Sequence, residues 1–205
     1  MISSIQAIRG MNDILPDSVS GWQQIEKIST ALACQYGYQE IRFPLVEKTE
    51  LFKRSVGIVT DIVEKEMYTF TSRSGDSLSL RPEGTAGCVR AALQHGLLGQ
   101  GGVHRLWYCG PMYRHERPQK GRYRQFNQFS LEAFGIASPL IEVEQIAFMW
   151  NLFSKLGLTD KVCLELNTLG TSECRENYKK SLVDYFNQHK DQLDEDCIRR
   201  LSDNP

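Results

Sequence analysis

The feature that most narrows the possible folds is a pair of strand-length segments, 104–115 and 125–134, joined by one long cationic connection. Side chains on a strand switch sides at every residue. In the second segment Phe126, Gln128, Ser130 and Glu132 therefore share one face, and Asn127, Phe129, Leu131 and Ala133 share the other. On the first segment Arg114 and Glu116 likewise share a side. If both polar sets point into one cleft, an arginine, an aromatic ring and several hydrogen-bonding groups converge there, as a nucleotide site requires.

The connection from Arg117 to Gln125 is longer than common hairpin turns and carries Arg117, Lys120, Arg122 and Arg124 without an acid. Phosphate is its natural partner, because arginine offers a planar fork of donors and Gly121 lets the backbone bend close to a ligand. Loop statistics alone would allow a merely solvated surface, and it is the alternating strand alongside that favours a ligand.

Elsewhere, Val19, Trp22, Ile25, Ile28 and Leu32 recur every three or four positions between Pro16 and Gly37, which predicts an amphipathic helix. Residues 38–44 read as a strand ending in Pro44, and Thr49 is expected to cap a short helix stopping at Gly57. Segments 67–71 and 77–80 flank the turn-rich run Ser72 to Asp76 and predict a hairpin. A helix over about 140–156, a strand over 162–168 and helices to the end complete an α+β pattern, with an antiparallel sheet flanked by helices.

Composition excludes several classes. Lysine plus arginine (24) nearly balances aspartate plus glutamate (25), so no global field draws in nucleic acid, and an anionic partner must be held locally. No signal peptide or bilayer-spanning run is present, and a cytoplasmic location is expected. The six cysteines lack zinc or redox spacing and read as free thiols, and the four histidines lack metal-binding helical spacing. A resident metal is therefore not expected; magnesium would arrive with a nucleotide.

A second constellation, Leu80-Arg81-Pro82-Glu83-Gly84-Thr85-Ala86-Gly87, stands where a strand gives way to a helix. Thr85 could cap that helix, and Glu83 could be stabilised by its positive end. Alternatively Glu83 presents a carboxylate to an ammonium group, Thr85 adds a hydroxyl, and the glycines admit a small ligand closely.

Together these residues resemble a known family. The hairpin with Arg114 and Glu116 is similar to motif 2 of class II aminoacyl-tRNA synthetases, and Arg81 to Gly87 resembles the amino-acid loop of the histidyl-tRNA synthetases. Gln6 to Asp13 is similar to that family's opening signature, residues 36–57 resemble the dimer-forming motif 1, and Leu164 to Asn167 with Gly170 also matches. The resemblance implies that Arg114, the catalytic residue, holds the α-phosphate of ATP, Glu116 the adenine amino edge, Arg122 the terminal phosphate, and that Phe126 stacks on adenine. It further implies that Glu83, Thr85 and Gln128 hold the amino end of histidine while Glu132 pairs with the imidazole.

The implied substrates are L-histidine, ATP with Mg2+ and tRNA(His), and the implied assembly is a homodimer through motif 1. In the implied reaction the histidine carboxylate attacks the α-phosphorus, and the histidyl group then passes to tRNA. No enzyme nucleophile is needed, which suits the absence of a Ser-His or Cys-His arrangement. Residues 1–170 are expected to be the amino-terminal part of the catalytic domain, and 171–205 the helical start of a connecting or insertion segment. Motif 3 and an anticodon-binding domain are not recognisable, so the fold is expected to be incomplete at its carboxyl-terminal end and catalysis by this chain alone is not expected. Two departures stand out: a smaller residue is expected near Ser130 and another at Leu131. The alternatives are a synthetase-like regulatory subunit of ATP phosphoribosyltransferase that senses histidine, and a class II synthetase for another amino acid.

Overall fold

The structure, a computed structural model, describes residues 5–56, 60, 62–99, 101–168, 170–194, 197–198 and 201. The chain divides into two compact units, Met1–Val162 and Cys163–Pro205.

The first unit is built around a mixed sheet in the order β1-β5-β6. Strand β5 (His104–Tyr113) and strand β6 (Gln125–Phe134) are the expected hairpin, paired antiparallel from His104↔Phe134 to Tyr113↔Gln125. Strand β1 (Gln39–Glu40) lies parallel to β5 on its other side. A second sheet pairs β2 (Val46–Lys48) and β3 (Thr69–Thr71) antiparallel on either side of β4 (Ser77–Leu80).

The alternation read from the sequence sorts the two faces of the hairpin. On one face Trp107 and the partly buried Phe129 and Leu131 pack with Leu32 and Ala33 of α1 (Pro16–Gln35) and with Phe148 and Leu152 of α4 (Leu140–Lys155). Trp107 stacks on Phe129 with centroids 5.2 Å apart. Each large apolar side chain buried this way contributes about 1.5–3 kcal/mol. Leu131, opposite Trp107 in the ladder, belongs to this helix-covered face, so its bulk is absorbed by the core and does not reach the polar face. On the other face Leu106, Tyr108 and Met112 pack with Cys88 of α3 (Thr85–Gln94) and with Phe43 and Phe126.

Three expectations change. The strand predicted over 38–44 is paired only at Gln39 and Glu40; Ile41 adds one bond to the Trp107 carbonyl, after which the Leu45 carbonyl accepts from Arg81, so this stretch crosses from one sheet to the other. Thr49 opens helix α2 (Thr49–Val56), but its hydroxyl bonds Ser77 Oγ at 2.8 Å and Ser79 Oγ at 2.9 Å, tying the helix to β4; the expected stop at Gly57 lies outside the described residues. No strand forms over 162–168: those residues have no ladder partner among the described residues, and a strand cannot persist without one.

In the second unit, α5 (Ser172–Gln188) starts where Thr171 Oγ1 accepts the Cys174 N–H at 3.1 Å, a side-chain cap of the first turn. No described helix is long and apolar enough to cross a membrane.

Candidate functional site

The polar face of the hairpin is assembled by ladder register. Glu132 stands opposite Leu106, Ser130 opposite Tyr108, Gln128 opposite Gly110 and Phe126 opposite Met112. Helix α3 brings its first residue to the same face: Thr85 donates its hydroxyl to Glu132 Oε1 at 2.8 Å, and Tyr108 donates to the same oxygen at 3.1 Å. Both donors use Oε1, so neither bond occupies Oε2. A carboxylate held this way is fixed in orientation and keeps acceptor capacity for a ligand N–H.

Burial pushes the Tyr108 phenol up to about 12, with the Ser130 and Thr85 hydroxyls pulling against that and Glu132 adding to it. Tyr108 is consequently a neutral donor at physiological pH. Behind it, burial pushes the Cys88 thiol up to about 12, with the Glu132 and Glu83 charges acting in the same direction. Cys88 is an inert packing residue here, not a nucleophile.

Glu83 takes the capping role that the sequence offered to Thr85. Its carboxylate accepts the Thr85 N–H at 2.6 Å and the Ala86 N–H at 3.0 Å, satisfying two of the free donors at the start of α3. The formal cap position is Gly84, which contributes no side-chain bond. The glycines of this loop also serve a purpose other than the one expected. A Cβ on Gly84 would stand 2.1 Å from the Tyr108 ring, and one on Gly87 would stand 2.7 Å from the Phe43 ring. They leave room for protein aromatics to lie against the backbone at the start of α3.

Arg81, not singled out among the site residues, is the buried strut of the assembly. Only 5% exposed, it donates Nε to the Pro111 carbonyl at 3.0 Å and Nη1 to the Phe43 carbonyl at 3.3 Å, and it lies over the Phe43 ring. A Cβ on Gly110 would come within 2.6 Å of its Nη2. Burial lowers the Arg81 pKa, with Tyr108 and Tyr113 opposing. Arg90 of α3 adds a second tie through its ion pair with Glu47 of β2.

The nucleotide candidates gather at the far end of the hairpin. Arg114 donates Nε to the Pro82 carbonyl at 2.8 Å and places its guanidinium 5.1 Å from the centroid of Phe126. Although β5 ends at Tyr113, short of the expected 115, the Arg114 N–H still donates to the Arg124 carbonyl at 2.9 Å, so the hairpin geometry continues into the cationic loop. There Gln119 and Arg122 pair as an isolated bridge around Gly121, whose φ of +81° is one that only glycine adopts freely. Arg122 Nε lies 3.0 Å from Glu116 Oε2, so these two predicted site residues face each other.

The predicted residues thus fall into three adjoining groups. Glu83, Thr85 and Glu132 gather with Tyr108; Arg114 gathers with Phe126; Glu116 gathers with Arg122. Gln128 lies between the first two groups on β6 and also borders a small cavity of about 190 Å3 beneath α1. Tyr108 was not singled out from sequence, yet it shares the alternation that carries Arg114. Among the described residues no group of three or more His, Cys, Asp or Glu side chains could hold a metal ion.

Comparison with known proteins agrees with this architecture. The family described as Histidyl-tRNA synthetase matches residues 10–174. Apo histidyl-tRNA synthetase from S. aureus superimposes with a TM-score of 0.72 at 36% identity, covering 97% of this chain and 46% of that one. An ATP phosphoribosyltransferase regulatory subunit/histidyl-tRNA synthetase from Bacillus halodurans gives 0.64 at 27% identity, covering 75% and 38%. A histidine–tRNA ligase subunit from Alicyclobacillus acidocaldarius shares the fold, with a TM-score of 0.65 at 20% identity over 77% of this chain and 44% of that one. The chain therefore spans less than half the length of these solved relatives. With a family match that runs from the opening glycine through both sheets, and a relative more than a third identical over nearly every residue, this chain belongs to the histidyl-tRNA synthetase family.

Proposed function

We propose that this chain carries the surface on which a histidine–tRNA ligase joins ATP to histidine, as the amino-terminal part of the catalytic domain, with residues from 171 onward beginning a connecting or insertion segment. The observation that carries this reading is the ladder register of β5 and β6, which sets Phe126, Gln128, Ser130 and Glu132 in line on one face beside Thr85 and Tyr108. In this reading Glu132 accepts an imidazole N–H through its uncommitted oxygen, Glu83 and Gln128 receive the amino end, and Thr85 and Tyr108 hold Glu132 still. Arg114 keeps Nε on the Pro82 carbonyl, which aims the remaining guanidinium donors at the α-phosphate while Phe126 supports adenine.

The histidine carboxylate is already ionised at neutral pH and needs no base. Catalysis then consists of aligning it with the departing pyrophosphate and stabilising the charge on the α-phosphoryl group, which is the task of Arg114. Magnesium enters as part of the ATP complex, held mainly by phosphate oxygens. Transfer of the histidyl group to tRNA(His), dimerisation through the motif 1 region and a cytoplasmic location complete the proposal.

A second reading is favoured by the similarity to the Bacillus halodurans regulatory subunit/synthetase. A histidine sensor needs an imidazole site but no phosphate clamp, and the retention of Arg114, Glu116, Arg122 and Phe126 favours the ligase. Pyrophosphate exchange into ATP, assayed in the complete protein, separates the two. The ligase reading predicts exchange that depends on histidine; histidine binding without exchange supports the sensor.

A further inference from the structure

We infer that Gly10 is a positioning residue for the cationic loop 117–124, and through it for nucleotide binding; the ligand side of this inference rests on the reading above. Gly10 lies far from the hairpin in sequence, yet its carbonyl accepts two successive N–H groups where the loop returns to β6. Arg124 donates at 2.8 Å and Gln125 at 3.1 Å. The same glycine touches both limbs of the loop. A Cβ built on it would stand 3.0 Å from Pro118 Cγ, 3.1 Å from Arg124 Cγ and 3.2 Å from the Arg124 nitrogen. Its φ of +86° is strained for any residue with a side chain.

The bonds around this point form a closed set. Arg124 returns its own carbonyl to the Arg114 N–H at 2.9 Å and its Nε to the Glu116 carbonyl at 3.1 Å. A turn bond from the Met11 N–H to the Ile8 carbonyl at 2.8 Å fixes the direction in which the Gly10 carbonyl points. Gly10 thus pins the returning limb, Arg124 ties that limb to the outgoing one, and Arg122 and Phe126 stand two residues to either side of Arg124. A loop whose return limb is fixed presents its arginines in one arrangement, and a loop without the pin must be ordered by the ligand at the expense of affinity. None of these bonds reaches Glu83, Thr85 or Glu132, so the effect is confined to the nucleotide end.

The test uses the complete protein, its Gly10→Ala variant and a form lacking residues 1–10, which removes the carbonyl without adding a clash. Two readouts apply to each: the rate of tryptic cleavage after Lys120, Arg122 and Arg124, and the dissociation constants of Mg-ATP and of histidine by calorimetry. The expected result is cleavage faster and Mg-ATP binding weaker, each by about tenfold, with histidine affinity unchanged within about twofold. Unchanged cleavage in both variants overturns the pin. Faster cleavage with unchanged Mg-ATP affinity, or equal loss of both ligands, overturns its bearing on the nucleotide. Wild-type protein that binds no Mg-ATP rejects the nucleotide reading itself, and the cleavage rates still decide whether Gly10 holds the loop.

Discussion

Thr85 and Glu132, 47 residues apart in sequence, are joined by a 2.8 Å hydrogen bond that links the first turn of α3 to the polar face of β6. The bond turns a loop that sequence alone could assign to helix capping into part of a ligand surface. Because Glu83 satisfies the helix donors, Thr85 is released for Glu132.

Thr85→Val removes one donor from Glu132 Oε1 while preserving shape. Histidine affinity is expected to fall by about three- to tenfold, corresponding to the roughly 1 kcal/mol net worth of a typical hydrogen bond. Mg-ATP affinity should not change. Calorimetric titration of both ligands checks this, and an unaltered histidine constant would remove Thr85 from the site.

Two glycines predict opposite effects on stability. Gly84→Ala drives a methyl group into the Tyr108 ring and is expected to cost about 1–3 kcal/mol. Gly21→Ala lies on the exposed face of α1 with nothing within 4 Å, and is expected to stabilise by about 0.5–1 kcal/mol through helix propensity. Urea unfolding of the two variants beside the parent measures both.

Glu116 and Arg122, proposed for opposite ends of ATP, form an ion pair in which the Arg122 side chain is 62% exposed. The arginine end of the pair is open to solvent and can turn to a triphosphate, whereas the Glu116 side chain is only 11% exposed and is left facing the ligand when it does. Arg122→Ala is therefore expected to weaken Mg-ATP more than AMP, whereas Glu116→Gln should weaken both. Affinities for the two nucleotides, compared across the two variants, separate the roles; identical losses for ATP and AMP in Arg122→Ala would contradict the assignment.

Alkaline pH should loosen the fold at a defined place. Tyr108 and Cys88 have ordinary values of 10.0 and 9.0, and burial raises each to about 12 in the folded chain. The unfolded chain thus releases these protons first. The stabilisation is fully present below pH 9 and declines as pH rises from about 9 towards 12, at a limiting slope of roughly 1.4 kcal/mol per pH unit for each group. Unfolding midpoints between pH 8 and 12 should fall less steeply in Cys88→Ala and in Tyr108→Phe than in the parent.

The layout of the hairpin is legible in the sequence. The two-residue period of 126–132 assigns the faces correctly because one face must meet α1 and α4, and a slip of one residue would bury Gln128 and Glu132 there. What sequence could not supply depends on contacts between distant segments. Nothing in the sequence marks Arg81 as buried between Gly110 and Phe43, and Gly84 and Gly87 look like ligand clearance until Tyr108 and Phe43 fill the space. The strand expected over 162–168 shows the same limit, since composition can propose a strand but only a neighbour can pair with it. Leu131, which the same period already places away from Gln128 and Glu132, packs beside Trp107, so its bulk leaves the polar face untouched.

A crystal structure of the chain grown with histidine and Mg-ATP examines the shared surface most directly. The imidazole should lie against Glu132 within reach of Oε2, with the α-phosphate beside Arg114 and adenine on Phe126, all on the face of the hairpin that carries Tyr108. Ligand density on the opposite face, among Trp107, Phe129 and α1, or histidine and nucleotide bound at separate places on the molecule, would contradict it.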